Sequence, residues 1–333
     1  MENTGRRADG QARLHLVYGD VTLGVHGHGN SGDFHYLFSY AAGGMESLVS
    51  GGMEWLYRPP RPCFWRASTD KDRGNGFVLK SGMWLAADQF IRCEKIDIRV
   101  DKKEIPFPSA PENNRYTGQE TAGEIEIRYT CETVTVPSTR VEVSYRVNGS
   151  GVIRVRVRYH GKKGLPELPV FGMRFLMPTC ADGFTYEGLS GETYPDRKAG
   201  GIPGIYEVDG LPVTPYLVPQ DCGMHMDTAW VEVRRSRSLD NRNRPAKPAF
   251  LRFQAEEGGT FAFSCLPCTA SELENALHQE ELPVPRRTVL CIFGAVRGVG
   301  GIDSWGADVE PAYRIRAEED IEYGFLVMPC GGR

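Results

Sequence analysis

A short polar segment carries acidic, basic and amide side chains spaced closely enough to contact one ligand. It comprises Asp70, Asp72, Arg73, Gly74 and Asn75, within the run Thr-Asp-Lys-Asp-Arg-Gly-Asn-Gly. Such a run is too polar for a strand and is typical of a turn, and its glycines could act as hinges. The segment therefore predicts either a mobile ligand-binding loop or a structural turn held by aspartate–backbone hydrogen bonds.

A second segment sets an aromatic ring in a turn. Trp305 follows Asp303 and Ser304 and is preceded by a Gly-Val-Gly-Gly run. Glycine permits positive φ, and Asp and Ser side chains bond to nearby backbone amides, so the turn can hold an indole at a loop tip. Stacking of that indole on the C–H face of a sugar would contribute about 1–2 kcal/mol. Packing of the ring in a core or hairpin is the structural alternative.

Two further patterns resemble metal or redox sites. Cys265 and Cys268 have CxxC spacing, but no second CxxC pair or nearby His pair accompanies them, which argues against zinc or redox chemistry. His26, His28 and His35 could bind a metal, yet the glycines between them favour a mobile loop and no carboxylate partner is obvious. We therefore predict no metal site and no cofactor in this chain.

The elements that position these residues are predicted to be β-strands. Apolar and charged residues alternate, as in Val-Ile-Arg-Val-Arg-Val-Arg-Tyr at 152–159, which indicates strands with one buried face. The predicted strand regions are 14–23, 91–100, 122–135, 141–159, 229–235, 249–254, 261–264, 288–293 and 323–327. Only two short helices are predicted, at 271–277 with Thr269 or Ser271 as N-cap, and at 82–90.

The pattern predicts an all-β fold, a large antiparallel β-supersandwich. The 39 glycines and 22 prolines punctuate many short strands, and no strand–helix alternation of the (β/α)₈ type occurs. No linker divides the chain, so we predict a flexible N-terminus at 1–12 and one domain at 13–333. The basic stretch 234–247 lies between strand regions and is interpreted as a solvated hairpin loop.

Composition excludes several classes of protein. The formal net charge is −4, without the basic excess typical of nucleic-acid binding. No apolar stretch is long enough for a membrane span, and the start of the chain lacks the apolar segment of a signal peptide. The nine cysteines are odd in number and scattered. These features predict a cytoplasmic protein with reduced thiols that binds neither nucleic acid nor membrane.

Four segments, in order along the chain, carry a family resemblance. Residues 59–76 (PPRPCFWRASTDKDRGNG), 191–197 (GETYPDR), 215–223 (PYLVPQDCG) and 298–306 (GVGGIDSWG) resemble motifs of the C-terminal domain of glycoside hydrolase family 2 β-galactosidases. Further segments are similar to the separate small chain of two-chain β-galactosidases of Gram-positive bacteria; they lie at 18–20, 34–40, 54–58 and 80–90. Since this similarity begins close to Met1, we expect a natural small subunit.

The resemblance implies a galactose-mutarotase-like supersandwich that completes an active-site mouth. The residue matching Trp305 would contact the β-galactoside, with Asp303 and Ser304 beside it, and the loop matching 66–76 would move on ligand binding. The catalytic glutamates, with any Mg²⁺ or Na⁺, would lie on a separate large chain. The small subunit would then be inactive alone. Lys71 replaces the family's usual Asn, so the details of this loop are expected to differ.

Four residues of the second motif are expected to be structural rather than catalytic. They are Glu192, Tyr194, Asp196 and Arg197. An arginine can pair with a carboxylate through two parallel hydrogen bonds, and we expect Arg197 to lock a long loop in that way.

Two alternative functions stay open at this stage. An aldose 1-epimerase needs a histidine acid and a carboxylate base, and His160 and His225 are available although neither lies in a recognised motif. A stand-alone, non-catalytic carbohydrate-binding module is the other alternative.

Overall fold

Strands dominate the chain, as the alternating pattern predicts. The computed structural model describes residues 13–29, 31–240, 247–303 and 306–330. The strands are β1 Leu14–Tyr18, β2 Thr22–Gly29, β3 Gly32–Ser39, β4 Gly44–Ser50, β5 Met53–Glu54, β6 Arg58–Cys63, β7 Arg92–Val100, β8 Lys103–Ile105, β9 Thr121–Ala122, β10 Glu124–Glu132, β11 Arg140–Asn148, β12 Ile153–Tyr159, β13 Val170–Met177, β14 Gly183–Leu189, β15 Pro203–Asp209, β16 Met224–Thr228, β17 Trp230–Arg235, β18 Ala249–Ala255, β19 Phe261–Leu266, β20 Thr288–Val296 and β21 Ile321–Cys330. The α-helices are α1 Asp70–Gly74, α2 Phe77–Ser81 and α3 Ala270–Asn275, and 3₁₀ turns cover Gly82–Trp84, Glu112–Asn114, Gln279–Glu281 and Pro311–Tyr313.

The strands form three antiparallel sheets. A ten-stranded sheet has the order β15-β14-β17-β18-β21-β12-β11-β10-β7-β8. A six-stranded sheet has the order β5-β4-β3-β2-β1-β9, and a five-stranded sheet has the order β16-β19-β20-β13-β6. The strand neighbours pair antiparallel, which confirms the predicted all-β antiparallel class.

The sequence alternation sets which face of the ten-stranded sheet is buried. In β12, the side chains of Ile153, Val155 and Val157 are fully buried, whereas the arginines between them point outward. Aromatic contacts join the layers across this buried face. Phe38 of the six-stranded sheet lies 5.7 Å from Tyr145 of the ten-stranded sheet, measured between ring centroids. Both smaller sheets therefore cover the ten-stranded sheet, since Tyr159 and Phe171 make a similar contact at 5.5 Å to the five-stranded one.

Helix α3 forms where the sequence predicts it. The Thr269 hydroxyl accepts a hydrogen bond from the Glu272 N–H, and the Glu272 carboxylate accepts one from the Thr269 N–H, which is a capping box. Within the described residues, none of the helices has both the length and the apolar character that a bilayer span requires.

One prediction about local structure was wrong and another holds in part. The helix predicted at 82–90 is a 3₁₀ turn that ends at Trp84, whose indole N–H bonds to the Pro166 carbonyl at 3.0 Å. The basic stretch at 234–247 connects the antiparallel strands β17 and β18, as a hairpin loop does, although its residues 241–246 lie outside the described residues. It is not wholly solvated, because Arg235 belongs to β17 and is fully buried. Its guanidinium donates to Thr179 at 2.8 Å and lies over the Trp55 ring.

Candidate functional site

The polar string at 69–76 contains one turn of helix, α1, and an aspartate–backbone hydrogen bond holds it, as in the structural alternative given for this segment. Thr69 caps α1, because its hydroxyl accepts a hydrogen bond from the Asp72 N–H at 3.2 Å. The Asp72 carboxylate accepts the Thr69 N–H at 2.9 Å in return. This reciprocal capping box satisfies two backbone donors that the short helix would otherwise leave unpaired. It also fixes the direction of the Asp72 side chain, which points into the protein.

Asp72 lies between two buried guanidinium groups. Arg66 donates two hydrogen bonds to its carboxylate, at 2.6 and 3.3 Å, and Arg297 donates a third at 3.4 Å. The three residues are between 0% and 2% exposed. Burial opposes ionisation of Asp72, but the charge and hydrogen bonds of Arg66 outweigh it and lower the pKa of the carboxyl. Asp72, predicted as a ligand-binding loop residue, is therefore enclosed as a structural anion.

Arg297 connects α1 to the segment that follows residue 305. Its guanidinium donates to Asp308 at 2.6 Å and stacks on the Phe77 ring at 3.9 Å from the centroid. The amide of Asn75 donates to the same Asp308 carboxylate at 3.1 Å. The polar end of α1 and residues 306–308 are consequently held as one unit.

Asp196 and Arg197 form hydrogen bonds with the glycine run that precedes residue 303. The Asp196 carboxylate accepts the backbone N–H groups of Val299 at 3.0 Å and Gly300 at 2.7 Å. Arg197 donates to the carbonyls of Asp196 and Gly300, so the predicted pairing with a carboxylate was wrong. The backbone approaches so closely that a Cβ on Gly301 would lie 2.7 Å from the Arg197 guanidinium. The positive φ values of Gly300 and Gly301, +73° and +93°, also favour glycine in this run.

The residues on both sides of the predicted sugar-stacking tryptophan lie against α1. Lys71, the departure from the family motif, donates to the carbonyl oxygen of Asp303. The Asp303 carboxylate accepts the Ala307 N–H at 3.1 Å, as predicted for an aspartate in a turn. Gly306 has a φ of +94°, and its Cα lies close to the backbone of Gly74. Ser304 and Trp305 lie outside the described residues.

All four motif segments meet at one pocket. The pocket has a volume of about 260 Å³. Residues from the four segments line it: Thr69, Asp70, Lys71, Tyr194, Tyr216, Gln220, Asp221 and Val299. Its lining combines phenolic, carboxyl, amide and ammonium groups. Such groups can hydrogen-bond the hydroxyls of a small polar ligand.

A buried carboxyl belongs to the lining of the pocket. Asp221 is 9% exposed and its carboxylate accepts a hydrogen bond of 3.0 Å from the Tyr194 hydroxyl. Burial raises the pKa of Asp221 to about 7, against the opposing effects of the Arg66 charge and the Tyr194 hydrogen bond. Asp221 is therefore poised to change protonation state near neutral pH.

The exposed residues of α1 form the rim of this pocket. The Asp70 side chain is 76% exposed and pairs with Arg73 at 3.0 Å. The Asp70 N–H donates to the Gln220 side chain at 2.9 Å, and Arg73 donates to the Pro219 carbonyl at 3.1 Å. Gln220 and Asp221 were not predicted as site residues. The sequence points to Gln220 and Asp221 only because they belong to the motif at 215–223, for which it predicts no role.

Glu192 and Tyr194 connect the second motif segment to its surroundings. The Glu192 carboxylate accepts a hydrogen bond from the hydroxyl of Thr214, the residue directly before the third motif segment. Tyr194 is 8% exposed, and its ring packs in a buried cluster with Val170 and Phe293. The side chains of the second motif thus support the pocket wall, and only Tyr194 also lines the pocket.

The two metal-like patterns lie in different surroundings, the cysteines in the core and the histidines on two strands. Cys265 and Cys268 are buried free thiols, and burial raises the pKa of Cys268 to about 11, so redox chemistry is not favoured there. His26, His28 and His35 lie on β2 and β3, so the predicted mobile loop was wrong. A carboxylate partner, missed from the sequence, is also present, because His28 contacts Asp33 at 2.7 Å.

Comparison with known proteins gives the family. A sequence model described as "Beta galactosidase small chain" matches residues 30–327. The chain is 62% identical to a Latilactobacillus sakei protein named "Beta-galactosidase small subunit" over 320 residues, which are 96% of this chain and 99% of that one. It is 32% identical to a "Beta-galactosidase" of Halalkalibacterium halodurans over 96% of its own length, but it spans only 29% of that protein.

A solved structure of a galactose mutarotase-like protein from Lactobacillus casei is similar to this chain with a TM-score of 0.40 and 9% sequence identity. It covers 95% of this chain and 100% of the Lactobacillus protein. The family rests on the sequence matches, which extend over nearly the whole chain and contain the four segments that meet at the pocket. The chain belongs to the β-galactosidase small chain family.

Proposed function

We propose that this chain is the small subunit of a two-chain β-galactosidase that hydrolyses terminal β-D-galactosides such as lactose. The observation that carries the proposal is the match to the Latilactobacillus small subunit over 99% of its length. The Halalkalibacterium β-galactosidase, of which this chain spans 29%, supports a partner that supplies the remaining parts of the enzyme. That partner is a large chain that carries the catalytic carboxylates.

The carboxyl groups around the pocket support a non-catalytic role. A retaining glycosidase needs a proton-donating carboxyl and an ionised carboxylate about 5–5.5 Å apart. Asp221 has the raised pKa of a proton donor. The carboxylates beside it are already engaged, because Asp70 pairs with Arg73 and Asp72 is enclosed by Arg66 and Arg297. The Asp196 carboxylate, in turn, holds two backbone N–H groups. We infer that the isolated chain does not hydrolyse galactosides.

The pocket and the 298–306 segment are proposed to form one wall of the sugar-binding mouth. The pocket opens between the rim of α1 and Val299, next to the residues that flank Trp305. Trp305 would stack on the galactoside, and the polar lining would meet its hydroxyl groups. In this arrangement the small chain contributes binding and the large chain contributes bond cleavage.

Reconstitution tests the proposal directly. The purified chain, a purified β-galactosidase large chain and their mixture are each assayed with a nitrophenyl galactoside. We expect rapid hydrolysis only in the mixture. Hydrolysis by this chain alone at the rate of the mixture would contradict the division of labour, and so would a mixture no faster than the large chain. The variant Asp221→Asn, added in place of the native chain, should raise KM but retain hydrolysis, because Asp221 lines the proposed sugar-binding wall and the catalytic acid is on the other chain.

The contacts of His160 and His225 do not favour an epimerase. His225 packs against Tyr186 and Phe263 at ring-centroid distances of 4.5 and 4.7 Å, and burial lowers its pKa to about 4. It is therefore neutral at pH 7 and a poor proton donor. His160 contacts Glu142 at 2.9 Å, but neither residue lines the pocket where the four motif segments meet. Polarimetry on the isolated chain should show no α/β-galactose interconversion.

A further inference from the structure

Three histidines lie in one row across the six-stranded sheet. His15 on β1 is directly opposite His26 on β2, and His26 is directly opposite His35 on β3. Directly opposed residues of antiparallel strands project from the same face. The neighbouring Leu16, which projects from the other face, is buried in the core. The three imidazoles therefore share the outer face of the sheet, independently of the pocket described above.

Two of these imidazoles face each other through the same ring atom. The Nδ1 atoms of His26 and His35 are 2.9 Å apart, and the ring centroids are 5.1 Å apart. Gly24 accounts for the orientation of the His26 ring. A Cβ at Gly24 would lie 2.7 Å from His26 Nε2, so the ring folds over this glycine and directs Nδ1 toward His35. The pair is thus set by the strand register and by the absence of a side chain at position 24.

We propose that His26 and His35 bind a divalent transition-metal ion, Cu²⁺ fitting best, through their Nδ1 atoms. Metal–imidazole bonds are about 2.0–2.1 Å long. With the nitrogen atoms 2.9 Å apart, two such bonds meet at an angle of about 90°. Tetrahedral Zn²⁺ would require a separation of about 3.3 Å. The observed spacing therefore favours a square-planar ion, and Cu²⁺ also binds nitrogen ligands most strongly in the divalent series.

The ion would be held by two protein ligands, with water completing its coordination. Among the described residues, no group of three or more His, Cys, Asp or Glu side chains is arranged to hold a metal ion. His15 lies beside His26 without a direct hydrogen bond to it in the structure. Its removal should therefore weaken binding by less than tenfold. Without the ion, the two Nδ1 atoms share a hydrogen bond, so one of them carries a proton. The occupied site requires the Nε2–H tautomer in both rings, so this proton must move to Nε2 to leave both Nδ1 lone pairs for the metal.

Copper titration of the full chain, purified without a histidine tag, tests the site. Calorimetry should give one saturable Cu²⁺ site, and electron paramagnetic resonance should report two nitrogen ligands. His35→Ala, at an exposed position, should weaken the affinity by at least about 100-fold, because one of two ligands is lost. Gly24→Ala removes no ligand but displaces the His26 ring, and it should weaken the affinity by about tenfold.

A matched control and a second readout make the test decisive. His278→Ala removes an exposed histidine that pairs with Glu281, and it should leave Cu²⁺ affinity unchanged. Cu²⁺ should raise the melting temperature of the native chain but not that of His35→Ala. The proposal is overturned if the native chain shows no saturable site, or if His26→Gln and His35→Ala both bind Cu²⁺ as tightly as the native chain. Tighter binding of Zn²⁺ than of Cu²⁺ would overturn the square-planar assignment.

Discussion

The hydroxyl of Tyr194 donates a hydrogen bond of 3.0 Å to the buried carboxylate of Asp221, joining two segments 27 residues apart. Both residues line the pocket. A buried carboxylate is costly unless it is paired or protonated. One hydrogen bond and the nearby Arg66 charge do not fully compensate that cost, since the pKa of Asp221 is still raised to about 7.

Asp221 should make the stability of the chain depend on pH. Its folded-state pKa of about 7 exceeds the ordinary value, so the folded protein holds an extra proton from about pH 4 to pH 7. The extra proton contributes fully to the free energy of unfolding below this window, and its contribution is lost as the pH rises through 7. Its maximum is about 4 kcal/mol. Asp221→Asn cannot titrate, so the native chain should lose stability relative to this variant between pH 5 and pH 8.

Urea denaturation at the two pH values measures this difference. Arg66, Tyr194, Asp72 and Glu192 also act on Asp221, and they are present in both proteins. A stability gap between native chain and Asp221→Asn that is equal at pH 5 and pH 8 would show that Asp221 titrates normally.

Asp72→Asn should strongly destabilise the chain. The substitution leaves Arg66 and Arg297 buried without their shared anion, and breaking a buried ion pair from one side costs about 3–5 kcal/mol. Asp70→Asn, in the same helix, removes an exposed pair with Arg73 and should cost less than about 1 kcal/mol. Urea unfolding of the three proteins makes the comparison. Equal losses for the two variants would mean that the buried carboxylate has no special role.

The sequence was sufficient for α3 and for strands with clear alternation such as β10 and β12, because those signals are local, whereas β3, β4, β6 and β13 to β16 were not predicted. Alternation over 152–159 indicates the buried face of β12, and Thr269 is one of the two N-caps predicted for α3. The strand character of the histidine segment was missed because glycine alternates there with histidine and supplies no β-branched signal. Only the structure reveals that Gly24 makes room for the His26 ring.

The site was predicted in part, because its main contacts are long-range. The four motif segments were identified, but their convergence depends on pairs such as Arg66 with Gly298, which are 232 residues apart. The exposure of Asp70 and the burial of Asp72 could not be predicted from a uniformly polar string. That difference arises from Arg297, which reaches α1 from the end of β20.

Gly301→Ala should impair the assembled enzyme through the Arg197 contact. Gly301 has a φ of +93°, and an added Cβ would lie 2.7 Å from the guanidinium that holds Gly300. Gly258→Ala is a matched control, since its φ is +76° and its Cβ would meet open space. Both variants should lose about 1–2 kcal/mol from the left-handed conformation. Only Gly301→Ala should also raise KM in the reconstituted enzyme. A similar KM for the two variants would show that the contact between Arg197 and the glycine run does not affect substrate binding.

Trp305→Ala should weaken substrate binding by about tenfold in the reconstituted enzyme. Loss of an indole stacked on a sugar face removes about 1–2 kcal/mol of binding, which is too little to abolish turnover. The expected result is therefore a raised KM with residual hydrolysis, measured with a nitrophenyl galactoside. Trp230→Ala is the matched control, because its indole lies under Arg252 on the outer face of the ten-stranded sheet. If Trp305→Ala leaves both KM and kcat at their native values, Trp305 does not contact the substrate, and the pocket polar groups would have to carry recognition without it.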